Sequence, residues 1–132
     1  MSAQQPLKAG TLLFAHGSRD PLWRAPIEAV AERMRYLAPD SLVQCAYLEL
    51  TAPDLATATQ ALLDQGATHV TVWPMFLGVG RHVREDLPVL MAQLRQRHPG
   101  IAFTLQPAMG EHPDVLESMA QTALGTPKSA DC

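Results

Sequence analysis

Short apolar runs alternate along this chain with stretches whose apolar residues recur at helical spacing. Thr11–Ala15 (TLLFA), Val43–Leu48 (VQCAYL), Val70–Leu77 (VTVWPMFL) and Ile101–Leu105 (IAFTL) each read as a buried strand. Pro74 is expected near the C-terminal end of the third. Between the runs lie four helical segments. Asp20-Pro21 reads as a cap and first helical position, followed at helical spacing by Ile27, Val30, Ala31, Met34 and Leu37, with Pro39-Asp40 as the stop. Thr51-Ala52-Pro53-Asp54 resembles a second helix start, with Leu55, Leu62 and Leu63 as the apolar stripe and Gly66 as the terminating residue. Asp86 is expected to cap a third helix, with Pro88 in its first turn and Val89, Leu90 and Leu94 facing inward. Pro99-Gly100 stops that helix, and His112-Pro113 opens a last one carrying Val115, Leu116 and Met119.

Strand and helix in strict alternation imply right-handed crossovers. The fold class predicted is therefore α/β: an open, parallel, four-stranded sheet with helices on both faces. In the strand order 2-1-3-4 the chain reverses direction of build between strands 1 and 3, where open sheets of this kind bind ligands. A chain of 132 residues fits one domain. That domain is expected over residues 10–124, with flexible ends at 1–9 and 125–132.

Composition removes several classes of function. With 47% hydrophobic and 17% charged residues the chain is of soluble globular type, and no apolar run nears the roughly 20 residues that span a bilayer. A net charge of −3 gives no basic footprint for nucleic acid. The first ten residues lack a secretory start, and Cys45 and Cys132 form no CxxC motif, so a reducing cytoplasm is the expected compartment. Cys45 reads as a small core hydrophobe inside the second strand.

Two histidines carry the candidate chemistry. His16 directly follows the first strand, in Phe14-Ala15-His16-Gly17-Ser18-Arg19-Asp20, and His82 follows the third, in Phe76-Leu77-Gly78-Val79-Gly80-Arg81-His82. Both belong to the edge beside the switch point. Imidazole is a common metal ligand and a base near neutral pH. Gly17 and Ser18 beside His16, and Gly78 and Gly80 before His82, leave backbone bare for a ligand. Arg19, Arg24, Arg81 and Arg84 could form a basic rim. Glu49, between two leucines after the second strand, is either a solvated strand end or a carboxylate beside the imidazoles, where it would suit a borderline divalent cation or take protons. His69, His98 and His112 read as structural, Trp23 and Trp73 as core or interface, and Met75 and Met109 as packing.

His-Gly-Ser-Arg-Asp after strand 1, Tyr-Leu-Glu-Leu after strand 2, and Phe-Leu-Gly-x-Gly-x-His-x-x-x-Asp-x-Pro after strand 3 together resemble the short, CbiX-type sirohydrochlorin chelatases of the class II, ferrochelatase-like group. The resemblance runs in unbroken order over about residues 10–124. It implies ATP-independent insertion of Co²⁺, Fe²⁺ or Ni²⁺ into sirohydrochlorin, in cobalamin or siroheme biosynthesis, by a homodimer whose subunit is half of a class II chelatase fold. The metal is then a substrate and no cofactor is tightly bound. By position, His16 and His82 would handle the metal, with Glu49 as a less secure catalytic match. Ser18, Arg19, Gly78, Gly80 and Arg81 would contact the tetrapyrrole, whose carboxylates suit arginines. A metal or tetrapyrrole carrier would use the same histidines without turnover. A phosphoryl-transfer enzyme is disfavoured, because Ala15 stands where an arginine before the histidine is usual, and no Walker-type loop is present.

Overall fold

The computed structural model describes residues 7–125, so most of the expected flexible ends, and Cys132, lie outside the described residues. The elements are β1 (Ala9–Ala15), α1 (Ala25–Leu37), β2 (Leu42–Tyr47), α2 (Leu55–Asp64), β3 (His69–Pro74), α3 (Arg81–Arg97), β4 (Ala102–Leu105), a single 3-10 turn (Met109–Glu111) and α4 (Pro113–Leu124). The sheet is parallel throughout, in the order β2-β1-β3-β4. The predicted architecture and switch point are those observed. β1 begins earlier than its apolar run, because Lys8 already exchanges hydrogen bonds with Thr68 (N to Oγ1 2.8 Å; Thr68 N to Lys8 O 2.9 Å).

Side-chain alternation along each strand makes two apolar layers. Leu12 and Phe14, with Val70, Val72 and Phe103 from the neighbouring strands, pack under Leu55, Ala58 and Leu62 of α2 and Leu87, Met91 and Leu94 of α3. On the other face Leu13, Val43 and Trp73 meet Ile27, Ala31 and Met34 of α1. Each fully buried side chain of this size contributes about 1.5–3 kcal/mol. Cys45 is a half-buried free thiol in this second layer, its pKa raised chiefly by burial against an opposing pull from Arg35. Tyr47 lies beside it at the end of β2, and burial pushes its phenol up to about 12.

Helix starts differ from expectation in two places. Asp20 does cap, but it caps a turn: its carboxylate accepts from Leu22 N–H at 2.9 Å and its carbonyl from Trp23 N–H at 3.0 Å. α1 itself begins at Ala25, with Pro26 supplying the first-turn proline. α3 begins at Arg81 rather than at Asp86. The extended Gly80 accepts from Arg84 N–H at 3.0 Å and opens the helix without a side-chain cap, so Pro88 lies in its interior. Of the expected inward residues, Leu94 is buried and Leu90 packs against the core, joined by Leu87 and Met91, whereas Val89 is 55% exposed. β3 stops at Pro74, short of the expected Leu77; Met75 N–H still donates to Phe14 O at 2.7 Å, and 76–78 then bend away.

α4 begins as expected at His112, whose Nδ1 accepts from Asp114 N–H at 3.2 Å. None of its residues is buried, and Leu116 and Met119 stay on the surface. α2 is capped by Asp54, which accepts from Thr57 N–H at 2.8 Å. Those Thr57 hydrogen bonds hold the Asp54 carboxyl below the usual carboxylate range. Asp54→Ala is expected to cost about 1 kcal/mol in urea unfolding near neutral pH. A carboxyl with a depressed folded pKa stabilises above its unfolded pKa and loses that contribution as pH falls. The gap between parent and variant should therefore close on acidification below the ordinary carboxylate range.

Candidate functional site at the C-terminal sheet edge

The site is built where β1 and β2 end side by side. Their ladder continues past the strands: Leu48 N–H donates to Ala15 O at 2.9 Å and Glu49 N–H to His16 O at 3.1 Å. Gly17 then turns the chain at φ +103°, a conformation side-chain-bearing residues rarely adopt. Any Cβ at Gly17 would overlap the Glu49 carbonyl, so the two loops touch backbone to backbone. The result is a direct side-chain contact, His16 Nε2 to Glu49 Oε1 at 3.0 Å, with both side chains about half exposed (51% and 54%).

This contact orients the ring. A neutral imidazole donating Nε2–H to a carboxylate keeps its Nδ1 lone pair free. His16 can therefore meet a cation or a proton through Nδ1, while Glu49 holds the ring by Nε2.

Beyond Glu49 the chain makes a tight three-residue turn. Thr51 N–H donates to Glu49 O at 2.8 Å, and Leu50 holds φ +64°. A bulky residue there costs about 1–3 kcal/mol, strain that concentrates at functional sites. Thr51 belongs to this loop and not to the helix start that its Thr-x-x-Asp spacing predicts. Its hydroxyl accepts from Ser18 N–H at 3.0 Å and donates to Ser18 O at 2.8 Å. No local spacing could have marked Thr51, because its partner is 33 positions away.

His82 lies on the first turn of α3, exposed at the same edge, and not on the loop the sequence reading expected. It makes no side-chain hydrogen bond or ion pair among the described residues. Nor, among those residues, do three or more His, Cys, Asp or Glu side chains group as a ready metal cage. The single chain thus brings His16 and Glu49 together and leaves His82 apart from them.

The other predicted residues divide similarly. Ser18 uses its backbone on Thr51 and its Oγ to accept from Asp20 N–H at 3.1 Å. Gly78 and Gly80 have no atom within 4 Å of where a Cβ would stand, so packing in this chain does not demand glycine at either. Arg24 and Arg81 are each paired along their helices, with Glu28 at 3.0 Å and Glu85 at 3.2 Å. Arg19 and Arg84 form no ion pair among the described residues. Arg84 lines a cavity of about 210 Å³ at this edge, together with Pro74, Val79, Leu105, Gln106 and Glu111. His69 starts β3 at the opposite edge, and His98 ends α3.

A second feature adjoins the edge on the α1 side. Gly110 N–H donates to Phe76 O at 2.8 Å, and a Cβ there would overlap the Leu77 backbone, which seats the 3-10 turn against the segment after β3. Next to it runs an apolar groove of about 230 Å³ that includes Ile27, Val30, Met75, Leu77, Met109 and Val115.

The sequence profile of the CbiX family matches residues 10–124. Among curated relatives, the chain is 30% identical over 103 residues to the chloroplastic sirohydrochlorin ferrochelatase of Arabidopsis thaliana, covering 78% of this chain and 46% of that protein. It is 37% identical over 83 residues to the sirohydrochlorin cobaltochelatase of Saccharolobus solfataricus, covering 62% of each. The chain thus spans roughly half the length of the curated relatives it matches. A CbiX protein from Marinobacter aquaeolei VT8 superposes with a TM-score of 0.76 at 31% identity, covering 89% of this chain and 95% of that one. The sirohydrochlorin chelatase SirB of Bacillus subtilis subspecies spizizenii, solved with cobalt, also superposes at 0.76, with 26% identity over 91% of this chain but only 51% of its own. The three motifs, the parallel sheet that carries them and the profile match across the whole described core place this chain in the CbiX family.

Proposed function

We propose that this chain inserts a divalent metal ion into sirohydrochlorin without ATP, with Co²⁺ as the favoured metal and Fe²⁺ or Ni²⁺ as alternatives. The observation that carries the proposal is the His16–Glu49 contact at the ligand-binding edge of a CbiX-family sheet. The names of the relatives support both the macrocycle and the choice among metals. A cobalt product belongs to cobalamin biosynthesis and an iron product to siroheme biosynthesis.

Insertion exchanges one M²⁺ for two pyrrole protons, so charge balances once a base has accepted them. His16 Nδ1 suits either holding the incoming metal or taking a proton, and Glu49 offsets the positive charge left on the ring. His82 offers the second imidazole from α3. Water and the macrocycle nitrogens complete the coordination that one chain lacks, and no resident cofactor is required. Gly78 and Gly80 leave room for the flat ring. Arg19, with Arg84, is available for the substrate carboxylates, whereas Arg81 must first release Glu85.

Anaerobic absorbance assays with sirohydrochlorin and Co²⁺, Ni²⁺ or Fe²⁺ test the proposal. Metal-dependent spectral change well above the uncatalysed rate, greatest with Co²⁺, is expected. Binding of metal or macrocycle with no acceleration by any of the three would favour the carrier reading instead.

The working unit we propose is a homodimer with its clefts facing each other. α4 has no buried residue, and Val30, Leu77, Leu116 and Met119 leave apolar surface beside the groove. Exposed apolar patches of this kind mark interaction sites. SirB, with about twice the matched length, supports a second unit of the same fold as the occupant. Sedimentation should give about twice the 14.4 kDa chain mass, and a monomer at high micromolar concentration would remove the paired cleft. No helix among the described residues is long and apolar enough to cross a membrane, and the half-buried free Cys45 supports a reducing, cytoplasmic setting.

A further inference from the structure

Three ties join the loop after β1 to the loop after β2, and the His16–Glu49 contact sits between them. On the strand side, Ala15 and His16 carbonyls accept from Leu48 and Glu49 N–H groups at 2.9 and 3.1 Å. On the far side stands Thr51 alone. Its hydroxyl both accepts from Ser18 N–H and donates to Ser18 O, at 3.0 and 2.8 Å. Its own N–H holds the Glu49 carbonyl at 2.8 Å. Thr51 therefore holds Ser18, two residues beyond His16, and the backbone of Glu49 itself. Leu50, strained at φ +64° and 55% exposed, does not pack the turn into place. Tyr47 N–H closes the base of this loop on Pro53 O at 2.9 Å, and the Thr51 hydroxyl ties its tip to the loop after β1.

We propose that Thr51 is a positioning residue for metal insertion: its hydroxyl locks the two loops so that Glu49 keeps His16 in register while the ring exchanges protons or metal. The proposal rests on the chelatase reading of the site for its effect on rate. A side chain that only fills space would be replaced by valine without loss, since valine has the same shape and no hydroxyl. A side chain that holds by hydrogen bonding would be replaced by serine instead.

The test compares Thr51→Val with Thr51→Ser in the full chain. Supporting partners of reactive groups are commonly worth about tenfold or more in activity. In Thr51→Val, kcat for Co²⁺ insertion is expected to fall about tenfold while KM for sirohydrochlorin moves less than about twofold, and Thr51→Ser should stay within about twofold of the parent. Amide exchange at Ser18 should rise in Thr51→Val and stay slow in Thr51→Ser. An unchanged kcat in Thr51→Val, or a Thr51→Ser protein as slow as Thr51→Val, overturns the proposal. Should Thr51→Val fail to fold, Thr51→Ala takes its place in the same comparison. If the parent itself shows no insertion, the chelatase reading falls. The exchange measurement then decides the lock separately, since equal Ser18 exchange in parent and Thr51→Val would exclude it.

Discussion

Replacing His16 or His82 by alanine is expected to lower metal insertion by about 10²–10⁴-fold, the range lost with a positioned acid–base group. If the two imidazoles serve one step, their losses do not add. The double variant should then be little worse than the weaker single. Both proteins should fold, because His16 is on an exposed loop and His82 is exposed on the first turn of α3. Tetrapyrrole binding should persist, since the carboxylates and the flat face of the macrocycle meet other groups. Absorbance titration, circular dichroism and single-turnover rates separate these outcomes. A His82→Ala protein that is folded, dimeric and fully active would exclude the mechanism. His82 makes no contact with His16 or Glu49 within the described chain, which makes it the sharper of the two tests.

Gly17→Ala is the second large effect. Alanine at φ +103° is strained by about 1–3 kcal/mol before any contact is considered. Its methyl group would then meet the Glu49 carbonyl, which is tied to Thr51 N–H and cannot retreat without opening the turn. Both penalties act on the same loop. The variant should show a lower urea midpoint and should lose insertion activity to a similar extent as Glu49→Ala, because the carboxylate is carried away from His16. Gly78→Ala and Gly80→Ala serve as controls: with no atom within 4 Å, neither should change the midpoint, and any loss there belongs to substrate binding. A Gly17→Ala protein with parental midpoint and rate would contradict the structure at this turn.

The four strands were readable because each is a short apolar run with turn residues after it, and β1, at the centre of the sheet, is buried almost continuously. Glu49 between two leucines reads as either a solvated strand end or a partner of the imidazoles, and the structure sets it against His16 at 3.0 Å. The start of α3 was not readable. Asp86 followed by Pro88 is a stronger local start signal than a bare glycine, yet Gly80 opens the helix because its extended backbone sets the first turn. That error placed His82 on a loop. Thr51 was misread for a related reason. A hydroxyl residue three before an aspartate looks like a helix start, whereas the hydroxyl's real partner, Ser18, lies across the sheet edge and the Thr51 N–H closes a turn on Glu49. The inward face of α4 could not be foreseen either, because the chain does not bury it.

The order of the strands also sets a timetable for assembly. β1 is made first, yet it ends in the middle of the sheet, flanked by β2 and β3. Its second flank closes only when Thr68 reaches Lys8, 60 positions on. Until then one side of a strand as apolar as Leu12-Leu13-Phe14 lacks its ladder partner, and closing so long a loop precedes any reward from the contact. On the ribosome the β1–β2 unit with α1 would emerge well before β3. The vulnerable interval for aggregation is therefore the synthesis of α2 and β3, and slowing translation there should lower the soluble yield of this chain.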